Sequence, residues 1–429
     1  MQQVKEVAVI DGVRTPFIRS NGAFENLASH DLGRLATQGL LKKSGIARDL
    51  IEQVVMGTVI SDPKAPNMAR EVLLGNSLPP VASAFTVSMA CISSNIAVGL
   101  AFDQMSLSRY KVAISGGAET LSDFPIRHSK KIRKALIKLQ KAKGPVDYLN
   151  EVKKLSIKDL IPDVPSVTEF STGLTMGASC ERLAKRIGVT REEADQFSLS
   201  SHQRASQAWE AGEYEGEVCS ISLAPEFKTI ERDNGPRGDS SLESMAKLST
   251  SFDRNFGQIT AANSSFLSDG GAAVLLMEKE YAAEQGFLAK AIIKDYITAG
   301  TEPLDDLLLG PSLAITKLLE KNHLCIKDIG VWEIHEAFAS QMVANLKVMD
   351  SKTLSKNIFN IDAIGEIPMD QLNIFGGSLA LGHPFGATGA RLVMTAASRL
   401  AKSGSRYSVV SGCAAGGHGL AMLLENPNM

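Results

Sequence analysis

The sequence predicts an α/β protein, a mixed or parallel sheet with helices packed on its faces. Three observations carry this. Apolar, β-branched runs alternate with stretches of helical periodicity along most of the chain. Two distant segments, VAISGGAE at 112–119 and VVSGCAAGG at 409–417, share a strand-then-glycine pattern that suggests two copies of one α/β unit facing each other. Finally, FTVSMACISSNIAVGLAF at 85–102 passes from a short strand into a buried helix and sets Cys91 at the junction.

In chain order, residues 4–10 form the first strand and 11–17 turn off its end. Helical spacing of Leu32, Leu35, Ala36 and Leu40 places a helix over 30–44. A strand follows at 54–60, then a helix at 67–76 that Pro79 and Pro80 close off. Beyond Cys91, the strand 111–115 ends in Gly116, Gly117, Ala118 and Glu119. From 121 to 249 charge rises and strand signals fade, with helices at 181–186 and 191–212; this region reads as a mainly helical insertion over the active face. The core resumes at 257 and ends in a strand, 272–277. The C-terminal half repeats the plan, with strands at 290–299 and 329–333, helices at 311–321 and 336–347, a glycine-rich segment at 375–391, a helix at 389–402 and closing strands at 407–411 and 419–424. The expected limits are 1–120 with 250–283 for one half, 121–249 for the insertion, and 284–429 for the other half.

Composition narrows the function class. Hydrophobic residues make up 44% and charged residues 21% of 429, which suits a large buried core. The net charge of −2 gives no global reason to expect a nucleic-acid partner. Five scattered cysteines, odd in number and without a CxxC pair, fit free thiols in a reducing compartment. No apolar run approaches the roughly 18 residues of a membrane span. The N-terminus enters a strand at once, so neither a signal nor a transit peptide is expected. A cytoplasmic protein, or a processed organellar one, is the default.

Four residues carry candidate chemistry. Cys91 sits where free N–H groups and the helix dipole favour a thiolate; it also reads as a buried structural cysteine. His383, in GGSLALGHPFGATGAR, is held in a glycine loop before a helix, as a base for Cys91 or as a structural histidine. That loop is neither a P-loop nor a dinucleotide fingerprint, because the glycine spacing fits neither. His335, in WEIHEAFASQ, lies at a strand end, where α/β sheets bind ligands. Cys413, in VVSGCAAGGHG, lies at another strand end, or simply fills a crowded turn. A metal site built from Cys91, His383, Cys413 and His418 lacks ligand spacing, and no metal is expected.

Taken together, VSMACISSNIA, HEAFAS, GHPFGATGAR and SGCAAGGHG resemble the four active-site loops of the thiolases, in order and spacing. DSSLESMAKLSTSFD and TAANSSFLSDGGAAVLLM resemble further thiolase blocks, so the resemblance covers nearly the whole chain. Histidine in HEAFA and the CAAGG loop are similar to the β subunit of the trifunctional fatty-acid-oxidation complex and its bacterial counterparts. The resemblance implies two similar α/β halves in a five-layered α-β-α-β-α core, an inserted loop domain, and a homodimer or higher homo-oligomer. It implies a 3-ketoacyl-CoA thiolase that bears an acyl group on Cys91. His383 would activate that thiol, Cys413 would act as acid and base, and His335 would help hold an oxyanion-hole water. Ala415, where many members have glycine, falls on an N–H of the second oxyanion hole. Ser265 and Arg237 align with positions that touch coenzyme A. Coenzyme A is the co-substrate, with no bound cofactor, and a hydratase/dehydrogenase α subunit is a candidate partner.

Three other readings compete. An acetyl-CoA acetyltransferase would run in the condensing direction, a decarboxylating ketoacyl synthase lacks a counterpart of Cys413, and a scaffold subunit would have lost a catalytic residue. Separately, residues 127–158 hold eleven cations and two anions, net +9 in a chain of −2. There Ile132, Ala135, Leu136, Leu139 and Ala142 form an apolar helical stripe flanked by lysines, suited to peripheral contact with an anionic membrane or to steering anionic esters.

Overall fold

The computed structural model describes residues 4–162 and 168–429. It has two compact units, one of 1–122 with 168–429 and one of 123–167.

The strands of the larger unit are β1 (Val7–Arg14), β2 (Ile18–Arg19), β3 (Gln53–Gly57), β4 (Ser83–Val87), β5 (Val112–Glu119), β6 (Ile221–Leu223), β7 (Lys228–Ile230), β8 (Ser268–Glu278), β9 (Ala291–Gly300), β10 (Ile329–Ile334), β11 (Tyr407–Ala414) and β12 (His418–Glu425). The main sheet runs β10-β11-β12-β9-β1-β8-β5-β3-β4, with β2 beside β8. The two halves share one hydrogen-bonded path, because Val7, Ala8 and Val9 of β1 pair with Ile293, Ile292 and Ala291 of β9. The strand expected to end near residue 10 continues to Arg14, held in register against β8 as far as Ala272.

Alternation along the strands builds the layers. On β8, Ala272, Val274 and Leu276 face a central core, which also holds Ala97, Val98, Ala101 and Met105 of the helix Ser93–Ser106. The same core takes Ala390, Leu392, Val393 and Leu400 of the helix Thr388–Ser403, and Val410, Leu420 and Met422 from the second half. These two helices are therefore sandwiched between the halves. The other face of β8, Ala273, Leu275 and Met277, packs on Leu32, Ala36 and Leu40 of the helix Ser29–Ser44. In the second half Trp332, Val409, Ala421 and Leu423 face outward onto Leu313, Leu318 and Met342, from the helices Gly310–Lys321 and Ala339–Asp350. The order is helix, sheet, helix, sheet, helix. Strands buried on both faces explain why β8 reads as a continuous apolar run.

The central helices meet closely. A Cβ on Gly389 would lie 2.1 Å from Asn95 Oδ1, so only glycine permits this approach. Near the same level, Ala390 N–H donates to Ser94 Oγ at 2.9 Å. The two helices thus bring their N-terminal ends together.

The smaller unit contains the helices Lys130–Leu139 and Pro145–Val152 and a short 3-10 turn, Ile157–Leu160. Ion pairs Lys131–Asp159 and Lys138–Glu151, at 3.2 and 3.6 Å, lie within it. The expected apolar stripe needs correction. Ile132 and Ala135 are buried, the helix ends before Ala142, and the exposed apolar side chains include Leu136, Ile137, Val146, Leu149, Val152 and Ile157. Among the described residues no helix is long and apolar enough to cross a membrane.

Candidate active site

The site forms where strand ends meet the N-termini of the two central helices. Cys91 follows β4 through a tight turn in which Ala90 takes φ of 46°. Ser93 staples that turn: its Oγ accepts from Met89 N–H at 2.8 Å and donates to Ala90 C=O at 2.6 Å. His335 follows β10, and its N–H donates to Ser411 C=O of β11 at 2.8 Å. His383 follows Gly382, whose φ of 103° suits glycine, and its N–H donates to Ser268 Oγ of β8 at 3.1 Å. Cys413 lies near the end of β11, opposite Gly419 of β12, and is 1% exposed.

The fold brings Cys91, His335 and His383 together, with one ligand-type atom from each lying within 4.8 Å of the others. It is the one such group among the described residues, and it includes neither Cys413 nor His418. One thiol and two imidazoles form a donor set that a zinc-like ion accepts. The same set is a thiol flanked by two imidazoles for covalent catalysis.

Electrostatics corrects one expectation. Burial pushes the Cys91 thiol up to about 12, and the N–H groups of Ala415 and Cys91 itself offset this only in part. Desolvation outweighs the helix end, so the resting group is a thiol and needs a base. Burial drives His383 down to about 3 and His335 well below its usual value, and Arg391 depresses both further, so both rings are neutral. Burial, and then charge on Cys91, raise Cys413.

Hydroxyls orient the bases. His383 Nδ1 lies 2.7 Å from Thr388 Oγ1, whose own proton goes to Pro384 C=O at 3.0 Å. Thr388 Oγ1 therefore accepts from His383 Nδ1–H, leaving Nε2 as a bare base. His335 Nδ1 lies 2.9 Å from Ser378 Oγ. The Nε2 atoms of both rings are buried and have no hydrogen-bond partner among the described residues.

Ala415 is partly buried and absent from the positive-φ residues, unlike Gly416 and Gly417 at 85° and 72°. Its methyl group therefore costs no backbone strain, and its N–H reaches Cys91. Ser265 lies beside the His335 loop through its N–H to Ala337 C=O at 3.0 Å. Arg237 is exposed on a separate loop, where its N–H donates to His202 Nδ1 at 3.3 Å. Sequence reasoning missed Arg19, whose guanidinium lies 3.7 Å from the ring centre of Phe266, next to Ser265. It also missed Glu119, which accepts from Val59 N–H, Ile60 N–H and Gly386 N–H and so ties the His383 loop to the first half. Thr388, Ser378 and Arg391 stood inside the quoted glycine-rich segment, and their hydroxyls and charge were the available signal.

The family description "Thiolase, N-terminal domain" matches residues 7–280, and "Thiolase, C-terminal domain" matches 287–426. The chain belongs to the thiolase family. It is 45% identical over 423 residues to the Bos taurus mitochondrial trifunctional enzyme subunit beta, covering 98% of this chain and 88% of that one. It is 41% identical over 425 residues to a 3-ketoacyl-CoA thiolase of Photobacterium profundum, covering 99% and 98%. Among solved structures, the Bacillus anthracis acetyl-CoA acetyltransferase superposes with a TM-score of 0.85 at 28% identity, over 99% of this chain and 100% of that one. Human mitochondrial 3-ketoacyl-CoA thiolase in complex with CoA gives 0.83 at 26% identity, over 99% and 98%.

Proposed function

We propose that this protein is a 3-ketoacyl-CoA thiolase of fatty-acid β-oxidation, an acyltransferase that uses coenzyme A to split a 3-ketoacyl-CoA into acetyl-CoA and a shortened acyl-CoA. The observation that carries the reading is the convergence of Cys91, His335 and His383 within 4.8 Å in a chain of this family. His383 Nε2 takes the Cys91 proton, and the thiolate attacks the 3-keto carbon. The carbon–carbon bond breaks toward the thioester, and the enolate of acetyl-CoA leaves with charge on its oxygen. His335 and His383 face that oxygen as donors. Cys413 supplies the proton to carbon. Coenzyme A then gives its thiol proton to the Cys413 thiolate and takes the acyl group from Cys91, whose departing thiolate recovers its proton from His383. Thiolate serves here as nucleophile and then as leaving group, which is why cysteine suits the step. Ser265 and Arg237 bind coenzyme A in this reading, and Ala415 N–H joins Cys91 N–H on the acyl oxygen.

The division into halves at 1–120 with 250–283 and at 284–429, around an inserted 121–249, belongs to the same proposal. So do a homodimer as the minimal unit, a cytoplasmic setting and peripheral membrane contact through 127–158. A partner subunit belongs to it too, supported by the name of the bovine relative, a subunit of a trifunctional enzyme, and the proposal takes that partner to be a hydratase/dehydrogenase.

The test is thiolysis of 3-ketoacyl-CoA substrates from short to long chains, following loss of substrate and formation of acetyl-CoA. Cleavage across a range of lengths supports the reading. Turnover confined to acetoacetyl-CoA would favour an acetyl-CoA acetyltransferase instead, and no thiolysis at any length would refute it.

A further inference from the structure

Ser378 carries a short buried chain that the reaction scheme above does not use. Its Oγ lies 2.9 Å from His335 Nδ1 and accepts from Arg391 Nη2 at 3.3 Å. Arg391 Nη1 in turn donates to Glu333 Oε2 at 3.3 Å, and Glu333 Oε1 accepts from Arg399 Nη1 at 2.5 Å. Ser378 and Glu333 are fully buried, and Arg391 is 1% exposed.

Hydrogen-bond accounting then fixes the direction of the Ser378–His335 bond. Arg391 can only donate, so Ser378 Oγ must accept from it. If His335 also donated through Nδ1–H, the serine proton would point into the core with no acceptor among the described residues, at a cost of roughly 1–3 kcal/mol. Both bonds of Ser378 Oγ are made, and no serine proton is stranded, if that proton goes to His335 Nδ1. The ring then carries its own proton on Nε2, the atom left without a partner in the site.

We propose that Ser378, held by Arg391 and Glu333, is a positioning residue that sets His335 in the Nε2–H form, so that His335 enters the reaction as a hydrogen-bond donor and not as a second base. Thr388 does the opposite for His383, since its proton is already committed to Pro384 C=O. Two neighbouring imidazoles of similar burial thus acquire complementary roles from the hydroxyl behind each. The donor role rests on the thiolase reading; the tautomer does not.

Histidine labelled with heavy nitrogen tests this in the whole protein, by long-range nitrogen–hydrogen correlation NMR at neutral pH. Signals are assigned by their loss in His335→Asn and His383→Asn. The wild type should show His335 protonated on Nε2 and His383 on Nδ1. A wild-type His335 protonated on Nδ1 overturns the proposal, whatever happens to any variant. Ser378→Ala should add Nδ1–H signal for His335 and lower the thiolysis kcat by up to about 10²-fold, the loss expected for one oxyanion donor. Its rate of Cys91 alkylation by iodoacetamide, which reports the His383 pair, should stay within about twofold. Ser378→Thr, which keeps the hydroxyl, should restore the Nε2–H signal. An unchanged His335 spectrum in Ser378→Ala would also overturn the proposal. The expected tautomers with no thiolysis in wild type would refute the functional reading alone.

Discussion

The rings of His335 and His383 lie 4.0 Å apart between centroids with their planes at 40°, yet each hangs from a different hydroxyl, Ser378 and Thr388. Their elements come from distant parts of the chain, the end of β10 and the loop before the helix Thr388–Ser403. The pair faces Cys91, and it makes the following outcomes specific.

The proposed scheme expects the acyl group on Cys91. Incubation with acyl-CoA, digestion and mass spectrometry should place the label on Cys91, with Cys413 clean. A stable label on Cys413 alone would sink the assignment.

His383 and Cys413 serve different steps. His383→Ala should slow acylation of Cys91 by on the order of 10²-fold, as for a lost general base. Cys413→Ser should still acylate but fail to exchange the α-protons of acetyl-CoA. Matching defects of both variants in both assays would contradict the division.

Buried neutral histidines should make the fold acid-sensitive. The folded pKa values are depressed, to about 3 for His383 and about 4 for His202 and well below normal for His335, mainly by burial. The unfolded chain therefore binds protons that the folded chain does not. Stability is complete above the unfolded value near 6.5 and is lost as pH falls toward the folded values, at about 1.4 kcal/mol per pH unit for each such histidine. Thermal unfolding at pH 7.5 and about pH 5 checks this. His383→Asn should lose less Tm between the two conditions than wild type, and an equal loss would contradict it.

Arg14 anchors β1 to the segment that carries Glu217 and Asp233. It is fully buried, with Nη1 and Nη2 on Asp233 at 2.6 and 2.9 Å and Nε on Glu217 at 2.8 Å. Removing one partner leaves a buried charge uncompensated. Asp233→Ala should cost roughly 3–5 kcal/mol by denaturant unfolding. A change under about 1 kcal/mol, as for an exposed pair, would show that water reaches the site.

The unit 123–167 exposes Leu136, Ile137, Leu149 and Val152 beside its lysines. Replacing these four with serine should weaken sedimentation with anionic liposomes at low salt and leave thiolysis intact. Wild type that fails to sediment would remove the membrane role and leave steering of anionic esters.

The helix over Ser29–Ser44 and most strands were legible from residue order, because burial on one or both faces imposes a period on the sequence. So was the convergence of Cys91, His335 and His383, since each sits at a junction that motif chemistry marks. The run of β1 past Ile10 was not legible, because its registry against β8 is supplied by a strand more than 250 residues away. Nor was the inward turn of Ile132 and Ala135, because a helix shows its periodicity without showing which face finds a neighbour. The protonation of the site was decided by tertiary structure alone. Local sequence put Cys91 at a helix start, which favours a thiolate, but burial among strands and helices from both halves raised its pKa instead. Desolvation and hydroxyl orientation depend on what surrounds an atom in space, and residues as far apart as Cys91, His335 and Ser378 acquire those surroundings only when the two halves close.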